Sequence, residues 1–590
     1  MSNLFVPSLR AHKLSAAVGS GKTRAAIAWL ASPDNSERNV LYVAPTQALI
    51  SQTADDLRKA LGESSGRNVH LIHAETAERG LVRAEALQSL NQAEPDSGLV
   101  QLITTQTFLD IVSRAAHPER WTVILDEAFQ PATFETFALG ADALRGWHHF
   151  CELFAVDPNQ GHRILPREGK LGMVSEVGAG AFGNAGARFK GLEATARAVA
   201  NPAIRCELVM TDGAQAIVSG EAPKKRKGNS DTSTTLQFAS YVDPLAFAGF
   251  REVLFLSALF EETILYHLWS KALGVTFEEH PEFPSHLLRR THEEQGRMLA
   301  VGYLLNRSDR PSLENLQRNA FTGQQGGAPG ARVIDHLIRT AAEHFGEEDF
   351  LLQSNSRFGY VEGSSRNPRR AKCIPTISHG LNLYQGTDNI AALALTNPNP
   401  QQMEWIRART GMSRRSIAQA FRIATTYQAL GRCSIRSQER ASVPKVALVV
   451  GEDDARFLHE LFPGSHWIGQ VGAMPELTSL QQREEGEQLG KVDSLALIIS
   501  KHLDGLPEGI DGISSKALKA AVEADLRGQE HLKGGADVQV TITPKNWTRA
   551  VAQACLIGQR WRKQGQSLRR VTAELYGFRA SPSLQSGPPH

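Results

Sequence analysis

Ala16-Ala17-Val18-Gly19-Ser20-Gly21-Lys22-Thr23 follows a short apolar run, His12 to Val18, that reads as a strand, and it opens into Arg24-Ala25-Ala26-Ile27-Ala28-Trp29-Leu30, which reads as a helix. A strand, a glycine turn and a helix start in that order make an anion site, because unsatisfied backbone N–H groups and the positive end of the helix dipole converge on one spot. Lys22 can then reach the β- and γ-phosphates of a nucleotide, and the Thr23 hydroxyl can take a place on Mg²⁺. Gly19, Ser20 and Gly21 complete the phosphate cradle. The strict pattern begins with Gly where this chain has Ala16, yet Gly19 and Gly21 still permit the tight turn.

Composition sets the frame around this loop. A chain of 590 residues is too long for one core and suggests about three or four domains. The hydrophobic content of 41% and charged content of 21% are globular values. A formal net charge of +2 means that any nucleic acid must be held by local basic patches. Cys151, Cys206, Cys373, Cys433 and Cys555 are far apart and without metal spacing, which argues against a zinc site or a disulfide framework. No apolar run reaches the ~20 residues of a membrane span and no signal-type segment opens the chain, so the expectation is a cytoplasmic protein with no membrane partner.

Beyond the loop, buried-type strands alternate with amphipathic helices. Asn39 to Ala44 is followed by Pro45-Thr46-Gln47 and a helix to Leu61, and Val100 to Thr104 is followed by Thr105-Gln106-Thr107 and another helix. That alternation implies a parallel sheet. Trp121-Thr122-Val123-Ile124-Leu125 then ends in Asp126-Glu127. Ligands bind at the C-terminal ends of parallel strands, which sets both carboxylates beside the glycine loop. Asp126 is the candidate metal holder, with Thr23, and Glu127 the candidate general base for an attacking water.

The glycine loop, the Ala44-Pro45-Thr46-Gln47 turn, the Thr104-Thr105-Gln106-Thr107 turn and the Asp126-Glu127-Ala128-Phe129 box, in that order, resemble the first motor lobe of a superfamily-two helicase related to the DEAD/DEAH-box proteins. Phe129 stands where those have Asp or His. Ser257-Ala258-Leu259 resembles the next motif, Ser-Ala-Thr. Thr376-Ile377-Ser378-His379-Gly380-Leu381-Asn382 resembles the fifth motif and Tyr427-Gln428-Ala429-Leu430-Gly431-Arg432-Cys433-Ser434-Ile435-Arg436 the sixth. The resemblance implies an ATP-hydrolysing motor with Mg²⁺. Lys22, Asp126, Glu127, Gln428, Arg432 and Arg436 are then catalytic, and Gly380 and Asn382 add to the nucleotide site. Pro45, Thr46, Gln47, Thr105, Gln106, Thr107 and Thr376 face nucleic acid. Either Arg432 or Arg436 is the arginine finger, since the family spacing is one residue shorter. DNA is favoured over RNA, because the divergent box and large insertion look more like replication or repair motors of mobile elements than the compact RNA-remodelling type. An RNA helicase and a nucleotide-gated scaffold that never translocates are the alternatives.

A crossover needs about a dozen residues, so the stretch between Asp126 and Ser257 contains an insertion. It has an aromatic-rich helical part (Trp147 to Phe154), strand-like runs near Leu208 and Ile217, and the basic run Lys224-Lys225-Arg226-Lys227, either a solvated loop tip or a phosphate contact. Near the C-terminus, Thr541 to Arg570 carries Lys545, Arg549, Arg560, Arg562, Lys563, Arg569 and Arg570 with no acid and with Trp547 and Trp561 interleaved. One reading is a nucleic-acid surface, with Arg560, Arg562 and Lys563 as contacts. The other is a helix carrying Val551, Ala554 and Trp561 that docks on the motor.

The expected fold class is α/β: two tandem RecA-like parallel-sheet motor lobes, an insertion in the first lobe and a small, mostly helical C-terminal domain. Expected boundaries are 1–134 with 236–285 for lobe one, 135–235 for the insertion, 286–475 for lobe two, 476–580 for the accessory domain and 581–590 for a disordered tail. A protein partner would use the insertion or the accessory domain.

Overall fold

The computed structural model describes residues 9–62, 67–78, 80–139, 143–157, 162–221, 234–289, 291–306, 312–317, 332–376 and 384–472, together with 498–499, 502–503, 506, 512–532, 547, 551, 561–564 and 567–570. The basic run Lys224 to Lys227 and the segment 581–590 lie outside the described residues.

Seven parallel strands form the first sheet, in the spatial order Thr276–Glu279, Arg10–Ser15, Glu252–Ser257, Trp121–Asp126, Asn39–Ala44, Val100–Thr104 and Val69–Leu71. The central strands are apolar along their whole length because helices cover both faces, and Asn39–Ala44 and Trp121–Asp126 are buried at every position. The registers Ser15↔Ser257 and Asp126↔Leu256 bring the strand ends to one edge, so the glycine loop, the Asp126-Glu127 pair and the Ser257 turn emerge side by side.

A second parallel sheet runs in the order Ala371–Ile374, Phe350–Gln353, Asn389–Ala392, Lys445–Gly451, Leu299–Leu305 and His466–Gln470. Two tandem parallel-sheet lobes are therefore present. Between Asp126 and Ser257 the chain makes a separate five-stranded sheet, with Ala132–Leu139 at one edge and Phe154–Asp157 at the other, paired antiparallel. Its core is aromatic, with Phe150 stacked on Phe154 and Phe238 at 4.8 and 5.5 Å. Leu208 lies on a strand as expected, but the run near Ile217 is the helix Asp212–Val218, started by the Thr211 hydroxyl accepting from Ala214 N. This insertion also touches lobe two. The carboxylate of Glu207 pairs with Arg409 of the helix Pro400–Thr410, and Trp405 of that helix meets Phe134 and Tyr241 edge-on or tilted at 5.4 and 5.6 Å.

Residues 320–331 and 475–590 form a second compact unit. Its described parts are the helix Ser515–Leu532 and a three-stranded antiparallel sheet of Gly512–Ser514, Ser567–Arg570 and Trp561–Gln564. Trp561 is thus on a strand, which corrects the reading of it as part of a docking helix. Trp547 is buried and donates its indole N–H to Ser515 Oγ at 2.9 Å, so that ring serves this unit's own packing rather than an exposed stacking platform. Among the described residues, no helix is long and apolar enough to cross a membrane.

Candidate nucleotide site between the two lobes

The glycine loop turns because Gly19 and Gly21 adopt φ of 69° and 88°, which L side chains rarely do. Ala16 needs no such freedom. It still donates its N–H to Ser257 O at 3.3 Å as a continuation of the sheet, so the family's Gly is dispensable at that position. Gly21 caps the helix Lys22–Ala31 from the left-handed region, which turns that helix's free N–H groups into the cleft.

The cleft has a volume of about 500 Å³, within the usual range for small-molecule sites, and its lining includes Gly19 to Thr23, Asp126, Glu127, Arg432 and Arg436. Thr23 Oγ1 donates to Asp126 Oδ2 at 2.7 Å, and the buried Tyr42 hydroxyl donates to the same oxygen at 2.5 Å. Lys22 is buried and donates to Ala17 O at 3.0 Å. Burial lowers its pKa, opposed by Glu127 and Asp126. From lobe two, Gln428 Nε2 donates to Glu127 Oε2 at 3.1 Å, and Arg432 Nη2 donates to Gln428 Oε1 at 3.3 Å. The Arg436 side chain lies directly on the loop: a Cβ added to Gly19 would stand 2.4 Å from Arg436 Cβ. Burial, and then repulsion from Arg432, lowers the Arg436 pKa to about 10. The lobes also meet where Val18 N donates to the Tyr427 hydroxyl at 2.8 Å, and where Gly431 leaves room for Val18, whose Cγ2 would be 2.2 Å from a Cβ there.

Of the expected site residues, the structure brings together Gly19, Ser20, Gly21, Lys22, Thr23, Asp126, Glu127, Gln428, Arg432 and Arg436. Gly380, Asn382 and Arg560 lie outside the described residues. Arg562 and Lys563 are on the strand Trp561–Gln564, with their side chains outside the described set. The expected nucleic-acid turns sit at helix starts. The Thr46 hydroxyl accepts from Leu49 N, and Thr104 Oγ1 accepts from Thr107 N, which leaves Thr107 largely buried. Pro45 and Thr105 are half-buried beside the exposed Gln47 and Gln106, and Thr376 Oγ1 donates to Ser354 O at 3.0 Å. Sequence reasoning missed Tyr42, Tyr427 and the segment Leu288-Arg289. Tyr427 adjoins Gln428 and so was within sight, but the other two contacts come from distant segments and leave no local signal.

The donor set fits a metal-bound triphosphate. Asp126, Glu127 and the Thr23 hydroxyl are hard oxygen ligands for Mg²⁺, the Ser20 hydroxyl is buried without a partner on the loop, and the four cationic side chains Lys22, Arg24, Arg432 and Arg436 line the cleft. The metal would use Thr23 and Asp126. Burial, then the Glu127 charge, raises the Asp126 pKa to about 6. A carboxyl raised in the folded state contributes stability that is complete below about pH 4 and lost as pH climbs through about 6. In metal-free buffer, the stability difference between the parent and Asp126→Asn is therefore expected to shift against the parent by about 3 kcal/mol between pH 4 and pH 7, at about 1.36 kcal/mol per pKa unit. Denaturant unfolding of both proteins across that range checks it, and a flat difference would show that Asp126 titrates normally.

Residues 5–130 match the family model described as DEAD/DEAH box helicase. A search of curated proteins finds no match. Among solved structures, a helicase titled XPD_APO aligns at 11% identity over 78% of this chain and 97% of its own, with a TM-score of 0.39. RecG bound to a three-way DNA junction aligns at 12% over 77% and 42%, with a TM-score of 0.29. S. cerevisiae Dbp5 bound to RNA and ADP BeF3 aligns at 10% over 82% and 89%, with a TM-score of 0.30. Overall superpositions this loose carry no weight beside the family match and the two parallel sheets. Residues 5–130, which hold the glycine loop and the Asp126-Glu127 box on adjoining strand ends, are similar to the DEAD/DEAH box helicase domain.

Proposed function

We propose that the protein is an ATP-dependent nucleic-acid translocase or helicase acting on DNA, and that the cleft between its two sheets is the hydrolytic site. The observation that carries this is the reach of lobe two into lobe one: Gln428 on Glu127, with Arg432 behind it. Bound Mg²⁺ would neutralise developing charge on the phosphates and orient the triphosphate. Lys22 and the loop N–H groups would hold the β- and γ-phosphates, and Glu127 would take the proton of the attacking water. Gln428 would fix the carboxylate's orientation, and Arg436 would meet the charge spreading over the transferring group. Because Glu127 and the loop belong to one lobe and Gln428 and Arg436 to the other, hydrolysis proceeds only with the lobes closed. That requirement ties the chemistry to lobe movement, as a motor needs.

We read the insertion as 132–242 instead of the expected 135–235, so that its paired strands Ala132–Leu139 and Thr234–Val242 stay whole, lobe one as 1–131 with 243–285, lobe two as 286–475 and the accessory domain as 476–580. Gln47 and Gln106, exposed at two helix starts, are the residues of this set best placed to meet a phosphate backbone.

ATP turnover is expected to rise at least several-fold on adding single-stranded DNA, and strand-displacement assays on DNA and RNA duplexes with either overhang would then give substrate and polarity. Turnover that neither DNA nor RNA changes would favour a nucleotide-gated clamp on a protein partner, for which the insertion is the available surface.

A further inference from the structure

The strap leaving lobe one is fastened to the glycine loop. Leu288 N donates to Ser20 O at 3.0 Å, and the Leu288 side chain covers Gly21, with its Cγ 3.1 Å from where a Cβ would be. Four residues further on, His292 shares a 2.6 Å hydrogen bond with the Tyr427 hydroxyl, the same hydroxyl that accepts from Val18 N. Burial, then repulsion from Arg289, lowers the His292 pKa to about 3, so the ring is neutral.

Between these two anchors stands Arg289. Its Nε and Nη2 are buried and have no hydrogen-bond partner, and Nη2 lies 3.1 Å from the Cβ position of Gly19. It is also among the charges that lower the Arg436 pKa. A guanidinium with unmet donors, held beside another cation, is destabilising unless an anion completes it. Its guanidinium lies against the glycine loop at Gly19, the residue that Arg436 also covers.

We infer that Arg289 is a ligand of the terminal phosphate, supplied by the strap that enters lobe two, and that it lets the cleft distinguish a nucleoside triphosphate from a diphosphate. This deepens, and rests on, the reading of the cleft as a nucleoside-triphosphate site. A strap anchored on Ser20 and Tyr427 holds the guanidinium in place, so its donors are set for a phosphate before one arrives. The γ-phosphate would in turn stabilise the strap's position between the lobes. Nucleotide state would then be read at the hinge as well as across the cleft.

The test compares the full-length parent with Arg289→Met and Arg289→Lys, measuring the affinity for ATP and for ADP by calorimetry and the nucleotide-free melting temperature. Met keeps the length and apolar stem while removing only donors that have no protein partner. Its nucleotide-free Tm is therefore expected to equal or exceed the parent's, while its ATP affinity falls roughly 10- to 100-fold, the size of a charge-assisted hydrogen bond. ADP affinity should change by less than about three-fold, and Lys should recover part of the ATP loss. Equal losses for ATP and ADP, or a lowered nucleotide-free Tm, would overturn the inference and make Arg289 a structural part of the strap. A parent that binds neither nucleotide overturns the reading of the cleft itself, and the inference falls with it.

Discussion

Replacing Glu127 by Gln is expected to leave ATP binding close to the parent's and to cut turnover by about 10²- to 10⁴-fold, the range of a lost general base. The substitution keeps size and shape and accepts the same Gln428 contact through its own carbonyl, so the lobes can still close. What it removes is the group able to take a proton from water. Phosphate contacts are made by Lys22 and the loop, which the substitution does not touch, so affinity and turnover should separate cleanly. Calorimetric binding alongside steady-state phosphate release checks both halves. A variant with parental turnover would remove Glu127 from the chemistry, and one that no longer binds would show that its charge holds the cleft together instead.

Truncating Arg436 to Ala should lower turnover by about 10³-fold or more, as loss of an arginine finger does, with a smaller effect on ATP affinity. The two motif arginines are not equivalent in their settings. Arg436 lies over Gly19, on the phosphate side of the cleft, whereas Arg432 donates to the oxygen of Gln428 and so acts through the residue that orients Glu127. Arg432→Ala is accordingly expected to resemble a milder Glu127 variant, and combining it with Gln428→Ala should add little. Combining Arg436→Ala with Gln428→Ala should instead multiply the losses, because the two act on different parts of the reaction. Single-turnover hydrolysis of the parent, the three single variants and the two double variants separates the cases. If Arg432→Ala is the more damaging and multiplies with Gln428→Ala, the finger assignment is reversed.

How much of this was readable from residues alone follows the range of the interactions involved. The glycine loop and the carboxylate box are local: strand, turn and helix start lie within about a dozen residues, and the turn chemistry of Gly19 and Gly21 admits few alternatives. The two parallel sheets were legible for the same reason, since central strands such as Asn39–Ala44 and Phe350–Gln353 announce themselves by an apolar run. The stretch from Phe260 to Ala272 was less legible. The chain there forms a 3-10 turn, Phe260–Glu262, a short α-helix, Ile264–His267, and a π-helical turn, Leu268–Ala272, since Trp269 must fit against Phe247 and Phe255. Such fitting is a tertiary demand that periodicity does not carry. The Ile217 run failed for a related reason: its apolar residues suit either state, and the Thr211 cap decided for helix. Arg289 was invisible because nothing in Leu288-Arg289 marks it. Its meaning comes only from the loop it lies against.

Glu127 itself holds a backbone conformation that its side chain resists, with φ at 89°, while its N–H donates to Leu256 O at 2.7 Å. A non-glycine residue in that region is strained by about 1–3 kcal/mol. Glycine there would relax the backbone and forfeit the carboxylate. Folding alone would favour Gly at this position, so the strain that Glu127 carries is a cost that only a use for its carboxylate offsets.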